Sequence, residues 1–269
     1  MNKVIGTIIS CLLVLSFSIF FCGDVFAAGG TGNVSQMGKR MYIWHFEEGS
    51  GTETKDATAG LVGTLVGDIK WVEGRTGNTA LEFSGKVGAP QYVEVEHSDE
   101  LNIDEQITMA AWVYPNSLPT GGQENKFTIV FKLAYYMQLE PGDGAESPIA
   151  YYFYDTTPPG YHISEGIVKA NEWSHVAVVW DGSQANFYIN GVKDSKVITQ
   201  TGTGRSNTEA VQFGGENAAC CPRFFQGRID QVVIANYALG EAEISALMTM
   251  VAVQPQSKLS ITWSEIKRQ

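Results

Sequence analysis

Glu94 and Glu96, in Tyr92-Val93-Glu94-Val95-Glu96, are the pair in this sequence closest in form to a two-carboxylate acid/base site. On an extended strand they share one face at about 7 Å, whereas a retaining glycosidase holds its two carboxyl groups about 5–5.5 Å apart. His97-Ser98-Asp99 follows and supplies no third acid in register. The pair therefore reads as the wet face of a strand whose valines point inward, and no catalytic residue is assigned. His45, His97, His162 and His175 have no nucleophile or acid at a spacing that would make a Ser/His/Asp or Cys/His arrangement. His175 reads as a structural histidine.

Binding chemistry is better served. Sugar sites combine aromatic faces, which cover C–H surfaces, with planar amide, guanidinium and carboxylate groups that fix hydroxyls. Two loops carry such groups, Asp155-Thr156-Thr157-Pro158-Pro159-Gly160-Tyr161-His162 and the segment from Gly215 to Phe225. Tyr161, Asn217, Arg223 and Phe224 are the candidate ligand contacts, the alternative being that these rings close an end of the core. Asp230 reads as sharing a strand face with Val232 and Ile234, and a carboxylate turned inward there must be paired or ligated. Pairing of Asp230 with Arg228 is the competing reading.

The remaining composition narrows the partners. Lys+Arg is 18 against Asp+Glu 29, a net charge of −11, and no basic run is present. Nucleic acid and anionic lipid, which are held through phosphate contacts, are therefore poor partners. The first 27 residues have the form of a signal peptide: Lys3, an uncharged apolar run from Val4 to Phe21, then Val25-Phe26-Ala27 as a small-x-small cleavage site. The expectation is a secreted, extracytoplasmic chain with no membrane span after cleavage. Of 4 Cys, only the adjacent Cys220 and Cys221 would remain, either as a vicinal disulfide or as two free thiols. A spaced disulfide framework and a structural zinc site are both excluded by that arithmetic.

The elements that must position these groups read as strands. Residues 28–40 are Gly-, Thr- and Ser-rich and form a flexible leader. From Met41 onward, short runs of β-branched and aromatic residues alternate with Gly, Asn, Asp and Pro. Strands are predicted at 41–46, 80–83, 92–96, 107–114, 128–133, 135–139, 149–154, 173–180, 186–189, 211–213 and 227–235. Asp181-Gly182 and Asn190-Gly191 mark tight turns. Glu241 to Met250 is the one helix, with Ile244, Leu247 and Met248 at helical spacing and acids in its first turn. The expected fold is all-β: an antiparallel two-sheet jelly-roll sandwich over 41–250, closed by a short C-terminal helix, with a tail at 251–269.

Four segments carry a family resemblance. They are Trp44-His45-Phe46-Glu47-Glu48-Gly49 with Asp56; Gly77-Asn78-Thr79-Ala80-Leu81-Glu82-Phe83; Ala110-Ala111-Trp112-Val113-Tyr114-Pro115; and Trp173-Ser174-His175-Val176-Ala177 leading through Asp181-Gly182 to Tyr188-Ile189-Asn190-Gly191. Gly227-Arg228-Ile229-Asp230 and the closing helix complete the set. In this order they resemble the laminin-G-like jelly roll of the concanavalin A-like lectin/glucanase superfamily. Gly240 stands where that family usually places a Ser or Thr helix cap. The resemblance implies the sandwich and, as in many members, one structural Ca2+, for which Asp56, where members carry an Asp near a turn, and Asp230 are the candidate ligands. It spans lectins, adhesion modules and glucanases alike, so function must come from the site. The acid set of the glucanases is missing, so the expectation is a secreted non-catalytic module that binds carbohydrate or another extracellular ligand. A protein–protein adhesion or surface-assembly module using the 251–269 tail is the alternative, and a glycoside hydrolase the third reading.

Overall fold

The computed structural model describes residues 38–250 except 77, 123–124 and 219–220; the expected signal segment, most of the leader and the tail lie outside the described residues. In chain order the strands are β1 (Met41–Trp44), β2 (Glu53–Lys55), β3 (Val62–Val66), β4 (Lys70–Glu73), β5 (Thr79–Ser84), β6 (Tyr92–Val95), β7 (Ile107–Pro115), β8 (Phe127–Lys132), β9 (Tyr135–Leu139), β10 (Glu146–Phe153), β11 (His162–Lys169), β12 (Ser174–Trp180), β13 (Gln184–Ile189), β14 (Val192–Thr199), β15 (Val211–Phe213), β16 (Gly215–Glu216), β17 (Arg223–Phe224) and β18 (Gln226–Ala235). The helix α1 (Glu241–Thr249) follows. The first sheet runs β14-β13-β12-β7-β18-β5-β4, with β1 paired to the second half of β18. The second runs β11-β10-β9-β8-β15-β6-β3-β2, and β16–β17 form a separate ribbon. Both large sheets are antiparallel, and the architecture is a β-sandwich jelly roll.

Alternation fixes the two faces of each strand. Val93 and Val95 of β6 are buried in the core while Glu94 points away. In β7, Met109, Ala111 and Val113 face the core; Trp112 and Tyr114 face outward. Trp44 and Trp180 are core residues, with the Trp44 and Phe213 rings 4.9 Å apart. Trp112 and Trp173 are not in that core, although both lie in segments that read as strands. Trp112 lies on the outer face of the first sheet, edge-on to His175 at 5.2 Å, and Trp173 is half-buried beside Tyr114.

A bulge in β18 overturns one assignment of face. Gln231 has φ +48°, and the pairing of β18 with β7 shifts register between Asp230 and Val233. One extra residue inverts the alternation downstream. Val232 and Ile234 thus enter the main core, while Asp230 lies opposite Trp112 on the other face.

The helix forms where acids meet its first turn. The Gly240 N–H donates to the Glu243 carboxylate at 2.8 Å, a glycine-capped start to the helix. Ile244 and Leu247 pack with Ile43, Ala110, Ala177, Val179, Tyr188 and Val233, covering one end of the first sheet's outer face. Asn190 and Gly191, with φ of +50° and +75°, make the turn from β13 to β14 beneath this helix.

Candidate binding face

The outer face of the second sheet carries four clustered tyrosines. In β9, Tyr135, Met137 and Leu139 point inward, so Tyr136 and Gln138 point out, and Glu140, just past the strand, accepts from Gln138 on the same side. In β10, Tyr151 and Phe153 point inward, so Tyr152 points out directly opposite Tyr136. The Tyr136 and Tyr152 rings stack at 5.5 Å and 12°. Tyr154 lies 4.5 Å from Tyr152, and Tyr161 stands edge-on to Tyr136 at 5.7 Å and to Tyr152 at 5.4 Å.

Tyr161 reaches this face on a tethered loop. Thr157 and Thr201 exchange backbone hydrogen bonds at 2.8 Å. Gln200 Nε2 donates to Thr156 Oγ1 at 2.8 Å and to the Pro158 carbonyl at 3.2 Å. These bonds hold the loop against the end of β14.

Three ion pairs frame the rings. Lys126 Nζ sits 4.2 Å from the Tyr161 ring centre and 2.8 Å from Glu140. The Arg205 guanidinium lies 4.5 Å over Tyr154 and grips Asp155 with two bonds, at 3.0 and 2.8 Å. Arg223 donates to Glu216 at 3.0 Å across the β16–β17 ribbon, both side chains being buried. Gln138 joins two of the pairs, donating to Glu140 and accepting from Arg223 at 3.5 Å. Tyr161 hydrogen-bonds both Tyr136 and Arg223.

Burial governs the protonation of this network. It pushes the Tyr136 hydroxyl far above its ordinary range, reinforced by the hydrogen bond to Tyr161. It also raises the Glu216 carboxyl, against the pull of Arg223. Burial opposes the Arg223 charge too, but Glu216, Tyr161 and Tyr136 outweigh it and hold the guanidinium above its usual value. Glu140 and Glu216 are the carboxylates of this face that sequence reasoning missed. The outward positions of β9 were the available signal for Glu140.

The four candidate contacts divide. Tyr161, 37% exposed, meets Arg223 directly, although only 4% of Arg223 is accessible. Asn217 is exposed farther along the face, its N–H donating to Gln212 at 2.9 Å and its amide to the Tyr92 hydroxyl at 3.2 Å. Phe224 is a correction: it is 2% exposed and packs onto Gly215 beside Tyr92, because ribbon pairing turns it down toward the sheet. Its ring offers no face to a ligand. Glu94 accepts a hydrogen bond from Gln212 at 3.1 Å and Glu96 lies exposed beyond the end of β6. Cys221 is disulfide-bonded; Cys220 lies outside the described residues.

The two candidate calcium ligands differ in fitness. The Asp56 carboxylate accepts from the Ile43, Ala59 and Gly60 N–H groups at 2.6, 2.5 and 3.1 Å, and from Thr58 Oγ1 at 2.9 Å. It staples its own turn to β1, and those donors occupy the lone pairs a cation would need. Asp230 is 2% exposed, and its Oδ2 accepts weakly from the Arg75 N–H and Asn78 Nδ2, each at 3.4 Å. Its Oδ1 is buried without a partner, and the nearby Glu47 adds like charge. Burial foremost raises its pKa to about 7. Asp230 Oδ1 is thus left suited to a hard cation, while the Asn78 amide turns its Nδ2 toward both Asp230 and Glu47 and its Oδ1 accepts from the Thr76 N–H at 3.2 Å. Among the described residues no group of three or more His, Cys, Asp and Glu side chains is placed to hold a metal.

Comparison with solved structures agrees with this architecture. Domain 4 of the extracellular GH43 arabinanase AbnA from Geobacillus stearothermophilus, solved with arabinotriose, superposes with a TM-score of 0.58 at 19% identity, covering 78% of this chain and 98% of that domain. The binding domain of Paraclostridial Mosquitocidal Protein 1 gives 0.56 at 18% identity over 77% of this chain and 51% of its own. Botulinum neurotoxin type C, whose cell entry depends on two ganglioside molecules, gives 0.51 at 13% identity over 78% and 50%. At such identities the likeness is one of fold. No curated protein matches the chain. The sequence profile Laminin_G_3 matches residues 87–245, more than half of the sequence, and the chain belongs to the concanavalin A-like lectin/glucanase superfamily.

Proposed function

We propose that the chain is a non-catalytic binding module that takes carbohydrate on the tyrosine face of the second sheet. The observation that carries this reading is the placement of Tyr161, the most exposed of the four rings, over fixed donors and acceptors at Arg223, Gln138, Glu140 and Lys126. Fixed polar groups beside an aromatic edge match the hydroxyl and C–H surfaces of a sugar with little ordering cost. The arabinotriose bound to the arabinanase domain and the gangliosides of the type C toxin support a glycan as the ligand class.

Binding is favoured over hydrolysis because the three carboxylates beside the tyrosines are each held in an ion pair. Glu140 is paired with Lys126, Glu216 with Arg223 and Asp155 with Arg205. A glycosidase needs one acid free to donate a proton and a second free to attack or to activate water. Affinity electrophoresis against neutral polysaccharides, arabinan among them, tests the reading: Tyr161→Ala is expected to weaken retardation about tenfold. Unchanged retardation removes the face from consideration, and reducing-end release by the wild-type chain, lost in Glu216→Gln, establishes hydrolysis instead.

The calcium expectation narrows to Asp230 with Glu47. Calcium is expected to raise the melting temperature and a chelator to reverse it in the wild type but not in Asp230→Asn. Export of the chain is part of the same proposal, tested by a mature N-terminus near residue 28 in the culture medium.

A further inference from the structure

The outer face of the first sheet is divided into three zones along its strands. The helix covers one end, over Ala110, Ala177 and Val233. Arg75 covers the middle, its guanidinium 4.1 Å over Trp112 while its side chain donates to the Met248 carbonyl at 3.0 Å. The far end has no such cover among the described residues.

A row of side chains crosses that uncovered end at a single register. Trp173 meets Tyr114 of β7 at 5.5 Å. Tyr114 is paired with Arg228 of β18, Arg228 with Glu82 of β5, and Glu82 with Lys70 of β4. The Arg228 guanidinium lies 5.3 Å over Tyr114 and 3.5 Å from Glu82, both charged groups being about one-third exposed. One register further, the row opens into a cleft of about 480 Å³. Its wall is amide-rich: Asn116, Gln226 and Gln91 contribute, together with Glu82 and Ser84.

Two glycines allow a close approach of strands beside this cleft. A side chain on Gly227 (φ +140°) would collide with the Tyr114 carbonyl, and one on Gly85 (φ +70°) would meet the Gln226 Cβ at 2.7 Å. With neither present, the ends of β5 and β7 and the start of β18 lie close together. Part of the wall is held in place: Gln91 accepts from the Ser84 N–H at 2.6 Å and donates to the Asp68 carbonyl at 2.6 Å, and Gln226 accepts from Ser117 at 2.6 Å.

We infer that this end of the first sheet is a second, independent site for a neutral oligosaccharide. The half-buried Trp173 and Tyr114 form the apolar platform, and the amides of Asn116 and Gln226 with the Glu82 carboxylate bind hydroxyls in the adjoining cleft. Charge argues for a neutral occupant. The cleft's wall carries two carboxylates, Asp68 and Glu82, and two ammonium groups, Lys70 and Lys86, with Lys70 paired to Asp68, so no net charge of the wall selects an anion or a cation. Planar groups that each both donate and accept match vicinal hydroxyls, which do the same. The site lies on the sheet opposite the tyrosine face and does not rest on the reading of that face.

Isothermal titration with neutral hexasaccharides of arabinose, xylose, glucose and mannose tests it on the full chain. The chain that binds is expected to show two sites per molecule. Gln226→Ala, a surface change that leaves the core untouched, and Trp173→Ala are each expected to reduce the stoichiometry from two to one, with the lost site weakened at least about tenfold. Tyr161→Ala is expected to leave this site intact. One site that is insensitive to Gln226→Ala and Trp173→Ala overturns the inference, as does absence of binding to the wild type by all four sugars. Binding that is lost in Gln226→Ala yet insensitive to Tyr161→Ala supports this site while removing the tyrosine face.

Discussion

The buried Arg223–Glu216 pair ties the tyrosine face to the β16–β17 ribbon. Removing one partner strands the other charge away from water, at a cost of about 3–5 kcal/mol. Arg223→Ala is therefore expected to lower the midpoint of urea unfolding sharply, while Arg223→Met with Glu216→Leu restores most of the loss; equal midpoints for the two variants contradict this. A second pair of residues concerns pH. His175 and Asp230 each neighbour Trp112 across the first sheet. Burial, helped by Arg75, lowers the His175 pKa to about 4. Its neutral form is the folded form, so its contribution is complete above about 6.5 and is lost as pH falls toward 4. Asp230, raised to about 7, has the opposite sign: its contribution is complete below about 4 and is lost as pH rises toward 7. At about 1.4 kcal/mol per pKa unit, His175 is worth roughly 3 kcal/mol and Asp230 roughly 4, and the two windows overlap, so they largely offset one another. With chelator present, His175→Leu is expected to leave stability that declines as pH rises from about 4 to 7, and Asp230→Asn stability that declines as pH falls from about 6.5 to 4. Thermal melts across that range check both slopes, and parallel slopes in the two variants sink the assignment. Tyr161 and Arg223 could be picked out as binding-type residues because the sequence places both in segments flanked by turn formers, although Arg223 proves to lie in the short strand β17. Their meeting depends on the Gln200 tether from β14, which no local spacing reveals.

Among the elements, the strands visible in the sequence are the central ones. β7, β12 and β18 are rich in β-branched and aromatic residues because they are covered from both sides, by core and by helix. The strands missed include the short β16–β17 ribbon and, in the two large sheets, β2, β3, β4, β11 and β14, which lie at or next to sheet edges. There water meets one face and the free edge, so β14 reads Val-Lys-Asp-Ser-Lys-Val-Ile-Thr, with lysines that discourage further pairing. The bulge in β18 escaped notice for a related reason: Gln231 is an ordinary residue in a left-handed conformation, and only the register of β7 exposes the shift. Gln231→Gly relieves the positive φ and is expected to hold or raise stability, whereas Gln231→Val forces a β-branched side chain into that region at about 1–3 kcal/mol. Chemical denaturation of the two variants decides it; similar losses in both would mean that the side chain, rather than the backbone, holds the bulge.

For the whole molecule, the sandwich dictates how two sites can act together. The two sheets pack about 10 Å apart with their outer faces turned away from one another. A single glycan chain cannot lie on the tyrosine face and in the Gln226 cleft without rounding an edge of the sandwich, so the sites do not reinforce each other on one short ligand. On a long polymer the same geometry favours bridging: one protein molecule holds two chains, and its affinity for the polymer stays close to that of its stronger site. The net charge of −11 keeps free molecules apart, so bridging depends on ligand rather than on self-association. Titrating the protein with a soluble neutral polysaccharide that it binds is expected to give turbidity that rises to a maximum and then clears as excess polymer separates the molecules. Tyr161→Ala and Gln226→Ala, each leaving one site, are expected to bind without turbidity. A wild-type chain that stays clear at every ratio while remaining saturable by short oligosaccharides at two sites would place both sites on one continuous path, and would end the picture of two faces working apart.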